Sequence, residues 1–233
     1  EKTPVPITPD ANGIVYVRSD AYGDGSGMNW DNATNDMHKA IQATGVQKVF
    51  VAIGNYNVGS SSFIMKNNVA IYGGFDPVNN IKTLADDRIM MDTSGVTGTI
   101  LNGQNIRPVF WNVFTAANPL NNTAVLDGCT ITGGAGVGNE IYFDGGGGMR
   151  NSYASPTITN TVFRNNTAFQ GGGMLNHFSG PVISNTAFVG NTASSAGGGI
   201  MNYSSASTQM DSCLVTRNSA PNGGGISNRY TGG

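Results

Sequence analysis

Gly146-Gly147-Gly148-Met149-Arg150-Asn151, Gly171-Gly172-Gly173-Met174-Leu175-Asn176, Gly197-Gly198-Gly199-Ile200-Met201-Asn202 and Gly223-Gly224-Gly225-Ile226-Ser227-Asn228 are four copies of one pattern. They begin 25, 26 and 26 residues apart. The intervening stretches align as well. Pro156-Thr157-Ile158-Thr159-Asn160-Thr161-Val162-Phe163-Arg164-Asn165-Asn166-Thr167-Ala168 is matched by Pro181-Val182-Ile183-Ser184-Asn185-Thr186-Ala187-Phe188-Val189-Gly190-Asn191-Thr192-Ala193, and more loosely by Met210 to Ala220. An earlier copy, Leu126 to Gly134, precedes an insertion at 139–144. Apolar residues alternate over short runs punctuated by Gly and Asn, which is strand chemistry and not helix chemistry. Strands this short within a 25-residue unit pair best with the same strand one unit away, each unit rising roughly 4.8 Å. The chain is therefore expected to be all-β, a right-handed parallel β-helix.

Laid in register, the copies assign columns. Ile158 and Ile183 point inward, as do Phe163, Phe188 and Val215, and Ala168, Ala193 and Ala220. The columns Asn151/Asn176/Asn202/Asn228 and Asn166/Asn191/Asn218 are expected at bends, each amide bonding its equivalent in the next coil. Cys129 and Cys213 share a column three coils apart, roughly 14 Å. A disulfide needs Cα atoms within about 7 Å, so two free, buried thiols are expected.

Three segments follow: 1–47 with the strand Ile14-Val15-Tyr16-Val17 and a helix, 48–145 as irregular first coils, and 146–233 as regular coils. The stretch Trp30 to Gln42 reads as a short amphipathic helix capping the open end of the first coil, with His38 facing solvent. The chain opens Glu1-Lys2-Thr3-Pro4 as a trimmed terminus would. It ends at Gly233 in mid-repeat, as if further coils follow.

Charged residues make up 11% of the 233-residue chain and the net charge is −2, against about 25% charged in an ordinary domain. Twelve scattered cations provide no basic stripe, which excludes nucleic acid as a partner. No apolar run is long enough to span a membrane as a helix.

The Gly-Gly motifs with Phe163-Arg164-Asn165-Asn166 and Phe188-Val189-Gly190-Asn191 resemble the paired repeats of polymorphic outer-membrane proteins, bacterial surface adhesins with β-helical passengers. Tyr16-Val17, Gly23 to Gly27, Trp30, Ala40-Ile41, Ile71-Tyr72-Gly73-Gly74-Phe75 and Thr99-Ile100-Leu101-Asn102-Gly103 resemble the front of secreted bacterial β-helix proteins of the pectate-lyase-like superfamily. The resemblance implies the fold, export, and a secreted or cell-surface place in a bacterium. It does not fix activity, since this fold carries lyases, hydrolases, adhesins and inert stalks.

By that resemblance a lyase would need acidic calcium ligands with an Arg or Lys base, and a hydrolase would need facing carboxylates about 5–9 Å apart. Asp211 is the one acidic residue of the coils 146–233, which turns the reading away from catalysis there. The catalytic candidates are Asp127, Glu140, Asp144 and Arg150, around the insertion. Asp86, Asp87, Arg88 and Asp92 read as a solvated loop with its own ion pair. Asp20, Asp24 and Asp31 around a Gly-rich loop are the candidate calcium ligands, without an EF-hand pattern. His177 has no Ser, Cys or Asp motif to complete a triad. The residues after the repeat Asn form the candidate ligand edge: Ser152, His177, Tyr203 and Arg229, with Tyr153, Phe178, Ser204 and Tyr230 beside them. Rings and polar tips suit a glycan or a host or cell-surface protein. The expected function is an adhesin-like or carbohydrate-contacting scaffold without catalysis in this segment. A polysaccharide lyase or glycoside hydrolase is the alternative.

Overall fold

A computed structural model describes residues 5–90, 97–136, 145–204 and 206–229. Three parallel sheets wrap one core. The first holds seven strands, Ile14–Val17, Lys48–Ala52, Ala70–Phe75, Val125–Asp127, Thr157–Thr159, Val182–Ser184 and Gln209–Asp211. The second holds six, Gly54–Asn57, Thr99–Asn102, Cys129–Thr132, Val162–Arg164, Ala187–Val189 and Leu214–Thr216. The third holds Phe110–Val113, Met149–Ser152, Met174–His177, Ile200–Tyr203 and Ile226–Arg229. The chain visits the sheets in turn, so the molecule is a parallel β-helix.

Two of the expected inward columns are present, while Ala168 and Ala193 are in register on a separate two-stranded sheet, outside the core cluster. Leu126, Ile158 and Ile183 are in register on the first sheet. Ile131, Phe163, Phe188 and Val215 are in register on the second, and the Phe163 and Phe188 rings stack at 4.8 Å and 7°. The repeated glycines answer two different demands. Gly171 turns the corner into the third sheet with φ +62, a conformation open to glycine at little cost. Gly173 sits where a Cβ would lie 2.6 Å from the Gly199 oxygen and 3.0 Å from a Phe188 ring carbon, so it lets neighbouring coils close.

The two asparagine columns differ. Asn166, Asn191 and Asn218 stand at the bend after the second sheet, bonded amide to amide at 2.9 Å. The Asn151 column lies within the strands of the third sheet, not at a bend. Its third-position residue faces inward on the pleat, like Met149 two residues earlier, and the pairs form a ladder. Asn112 donates to Asn151 (3.1 Å), Asn151 to Asn176 (2.9 Å), Asn176 to Asn202 (3.0 Å) and Asn202 to Asn228 (2.8 Å).

Both cysteines are free. Thr99, Cys129, Thr161, Thr186 and Cys213 form one column at the first-to-second corner. Thr161, Thr186 and both thiols each donate to the carbonyl two residues back, which explains why a thiol can stand for a hydroxyl here. Cys129 is fully buried and its thiol pKa is pushed up by that burial. Cys213, on the last coil, is only half-buried, because no coil stacks on its far side among the described residues.

The front of the chain departs more from expectation. The helix is Met37–Gln42, capped by the Asp36 carboxylate on the Lys39 N–H. Met37, Ala40 and Ile41 enter the core beside Val15 and Val17. Trp30 is not helical. It joins Ile14, Phe50, Ala52 and Phe75 in a second cluster on the outer face of the first sheet, with Tyr16 and Tyr72 packed on it. His38 does not point freely to solvent: its Nε2 lies 2.9 Å from the Val58 oxygen and its ring 4.5 Å from Phe63.

Candidate functional site

The corner that leaves the third sheet is unlike the other two. Its turning residues are Tyr153, Phe178 and Ser204, at φ 48, 49 and 49. The corresponding left-handed positions elsewhere are Gly128, Asn160, Asn185 and Ser212, and Gly133, Asn165, Gly190 and Arg217, so Gly and Asn, which tolerate that conformation, turn each of these coils but the last. A bulky side chain there costs on the order of 1–3 kcal/mol. The surrounding ladder holds it: the N–H of Tyr153 donates to the His177 oxygen (3.1 Å), and that of Phe178 to the Ser204 oxygen (3.2 Å). The Tyr153 and Phe178 rings stack at 5.1 Å and 16°, and Phe178 keeps 42% of its surface exposed.

His177 flanks this stack, 4.4 Å from the Phe178 ring and 5.6 Å from that of Tyr203. Its Nδ1 lies 3.5 Å from Ser152 Oγ. Burial lowers its pKa, and the nearby Arg150 charge adds to the effect, both disfavouring the charged form. Tyr203 does not belong to the exposed edge. It is 5% exposed and packs with Leu175, Ala196 and Met201. Ala196 comes from an extra two-stranded sheet, Thr167–Gln170 with Thr192–Ala196, which brings apolar cover to this face of the third sheet. Arg229 is exposed and in register with Tyr203. Tyr230 lies outside the described residues.

Of the catalytic candidates, Asp127 and Arg150 lie among the described residues, on different sheets. Asp127 ends a strand of the first sheet and pairs with Arg88 at 2.8 Å, both side chains nearly buried, while Asn160 donates to the same carboxylate at 3.3 Å. Arg88 also donates to the Gly73 oxygen and lies over Tyr72 and Phe75. The loop ion pair expected at 86–92 is thus replaced by a pair from Arg88 to the wall of the helix, since the guanidinium is drawn onto the aromatic cluster. Asp86 instead binds the backbone of Lys82 and Thr83. Arg150 belongs to the third sheet, buried, with its guanidinium 5.2 Å from the centre of the Trp111 ring. Glu140, Asp144 and Asp92 lie outside the described residues.

The calcium candidates are also dispersed in role. Asp20 is gripped by Arg18 Nε and Nη2 at 2.9 and 2.8 Å. Asp24 accepts the Ser26 N–H at 2.8 Å, and Asp31 accepts the Tyr22 hydroxyl at 3.1 Å. Among the described residues no group of three or more His, Cys, Asp or Glu side chains is placed to hold a metal ion.

No family model, curated protein or solved structure matches this chain.

The fold is therefore carried by its own geometry, and the resemblance to exported bacterial repeats rests on the quoted motifs alone. No helix among the described residues is long and apolar enough to cross a membrane. Two features escaped the sequence reading. One is the outer aromatic cluster with Arg88. Its signal is Tyr16, Phe50 and Tyr72 standing in register at outward-facing positions of three strands, where polar residues are expected. The other is the surrounding of Arg18, whose signal is the alternation Arg18-Ser19-Asp20-Ala21-Tyr22.

Proposed function

We propose that this chain is a secreted or surface-exposed β-helical scaffold that binds by contact, adhesin-like, with a glycan or cell-surface protein as partner. The observation that carries the reading is the Tyr153–Phe178 stack: two aromatic rings held in left-handed backbone at an exposed corner, where the other corners of the same two coils use Gly128, Gly133, Asn160 and Asn165. The strain is maintained in two consecutive coils, and strain of this kind collects at functional positions. The rings offer apolar surface next to the imidazole of His177, a combination suited to the mixed faces of sugars and protein loops. Export from a bacterium, in the manner of polymorphic outer-membrane or pectate-lyase-like proteins, is the setting that the Gly-Gly and Phe-x-x-Asn repeats favour. The lyase or hydrolase alternative draws no support from Asp127, whose carboxylate is engaged by Arg88 and Asn160.

A glycan array and a cell-surface binding assay, run with the wild-type chain and the Tyr153→Ala/Phe178→Ala variant, test the reading, with a calcium titration alongside. Binding that falls at least about tenfold in the variant supports it. Undiminished binding by the variant, or turnover of a polyuronate or other glycan by the wild-type chain, overturns it.

A further inference from the structure

A second feature lies away from that corner, at the start of the helix. Two clefts of about 300 Å³ each share Arg18, Pro77 and Val78 as a common wall. One continues over Tyr22, Trp30, Asp31 and Lys82, the other over Asp20 and Asp76. Their size is at the lower end of ligand sites, about 300–1,000 Å³.

We infer that these clefts form a binding site for a short, uncharged saccharide, separate from the Tyr153–Phe178 corner. The polar groups are fixed in advance. Arg18 is buried and holds the Asp20 carboxylate in a two-pronged grip, while that carboxylate stays 69% exposed with acceptor capacity left over. The Arg18 guanidinium lies 5.1 Å from the centre of the Tyr22 ring, so one ring face is covered. Tyr22 as a whole remains 66% exposed, which leaves the other ring face to solvent. Its hydroxyl is tied to Asp31, and the Trp30 indole N–H is tied to the Lys82 carbonyl at 3.1 Å. The turn Pro77–Asn79 that walls the clefts is capped by Asp76.

This is an aromatic face flanked by carboxylate acceptors, with Lys82 among the lining residues. A pyranose presents the complementary pair, a C–H face for Tyr22 and vicinal hydroxyls for Asp20 and Asp31. Three carboxylates against two cations around the clefts disfavour phosphates and uronates. The apolar lining residues Trp30, Pro77, Val78, Ala52 and Ile53 are interleaved with these charged groups, which disfavours a lipid chain.

Trp30 supplies its own reporter. The chain has two tryptophans, so Trp111→Phe leaves Trp30 as the sole indole. Cellobiose, maltose, lactose, digalacturonic acid and an arginine-rich peptide are titrated against this variant by fluorescence. The expected result is a saturable change with at least one neutral disaccharide. Tyr22→Ala weakens it about tenfold or more, while Tyr22→Phe, which keeps the ring, weakens it about threefold or less. Tyr153→Ala/Phe178→Ala leaves this titration unchanged while weakening binding at the corner, so the two sites fail separately. Absence of a saturable change at about 10 mM of every neutral disaccharide overturns the inference. So does tighter binding of digalacturonic acid or the peptide, or an affinity that Tyr22→Ala, with its circular dichroism intact, leaves unaltered.

Discussion

Asn176→Ala removes the middle rung of the ladder inside the third sheet. The Asn176 side chain is fully buried, accepts from Asn151 at 2.9 Å, and donates to Asn202 and Thr208 at 3.0 Å each. The loss is unequal along the ladder. Asn202 Oδ1 keeps the hydroxyl of Thr208 at 2.6 Å. The Asn151 amide, by contrast, loses its acceptor in a place that water does not reach. Three hydrogen bonds at about 1 kcal/mol net each, with about 1–3 kcal/mol for a stranded buried donor, overlap to give a cost of about 3–5 kcal/mol. In a chain of this length each kcal/mol moves the melting temperature by about 2–4 °C, so Tm falls on the order of 10 °C. Asn228→Ala is the control. It removes one bond at the exposed end of the ladder and costs less than about 1 kcal/mol. Urea unfolding followed by circular dichroism and by tryptophan fluorescence measures both. The two probes must coincide, because a solenoid can melt coil by coil. A loss below about 1 kcal/mol for Asn176→Ala, or equal losses for the two variants, refutes the view that the ladder holds the coils together.

Gly173→Ala forces a Cβ into the Gly199 carbonyl and the Phe188 ring and should cost about 3 kcal/mol by urea titration. Gly190→Asn should cost less than about 1 kcal/mol, since the position meets only the Asn165 amide oxygen, at 3.0 Å. Asp127→Ala strands Arg88 and should cost about 3 kcal/mol, much of it restored when Arg88→Met and Asp127→Leu are combined; a combined variant as unstable as the single one would sink the account. Burial and then Arg150 lower the His177 pKa, so the unfolded chain binds a proton more readily than the folded one. Stability therefore rises with pH up to the ordinary histidine value near 6.5 and is lost as pH falls below it. His177→Phe should flatten that part of the stability profile; an unchanged slope would remove His177 as its source.

The regular coils were legible because their demands repeat. A residue that must turn a corner, approach a backbone or fill the core does so every 25 or 26 residues, and the columns 158/183 and 163/188/215 can be read from spacing alone. The front was less legible because its decisive contacts are single events. Trp30 falls in a stretch with helical caps and apolar spacing, yet it packs on Phe75 and Tyr16 across the outer face. Arg88 sits among aspartates in sequence, but its partner is Asp127, 39 residues away. Tyr203 shares a column with His177 and Arg229, and only the extra strand Thr192–Ala196 shows why it is covered. Periodicity reports what every coil needs. It does not report what one coil receives from a segment outside the repeat.

The same division locates function. Inward columns and asparagine ladders fix the register, so a substitution there is felt as stability. The corners answer to weaker constraints, because any residue that accepts a left-handed backbone will turn them. Asn and Gly do so with least strain, and the first-to-second corner uses Gly128, Asn160, Asn185 and Ser212 in succession. Tyr153 and Phe178 therefore stand at positions where the fold by itself favours a different residue. Ring stacking, at about 0.5–1.5 kcal/mol, offsets only part of the strain of about 1–3 kcal/mol per residue. Phe178→Asn should accordingly leave thermal stability unchanged or raise it by about 1 kcal/mol, while lowering ligand binding. A fall of more than about 1 kcal/mol would mean that the rings serve the scaffold instead, and the corner would lose its claim as a contact surface.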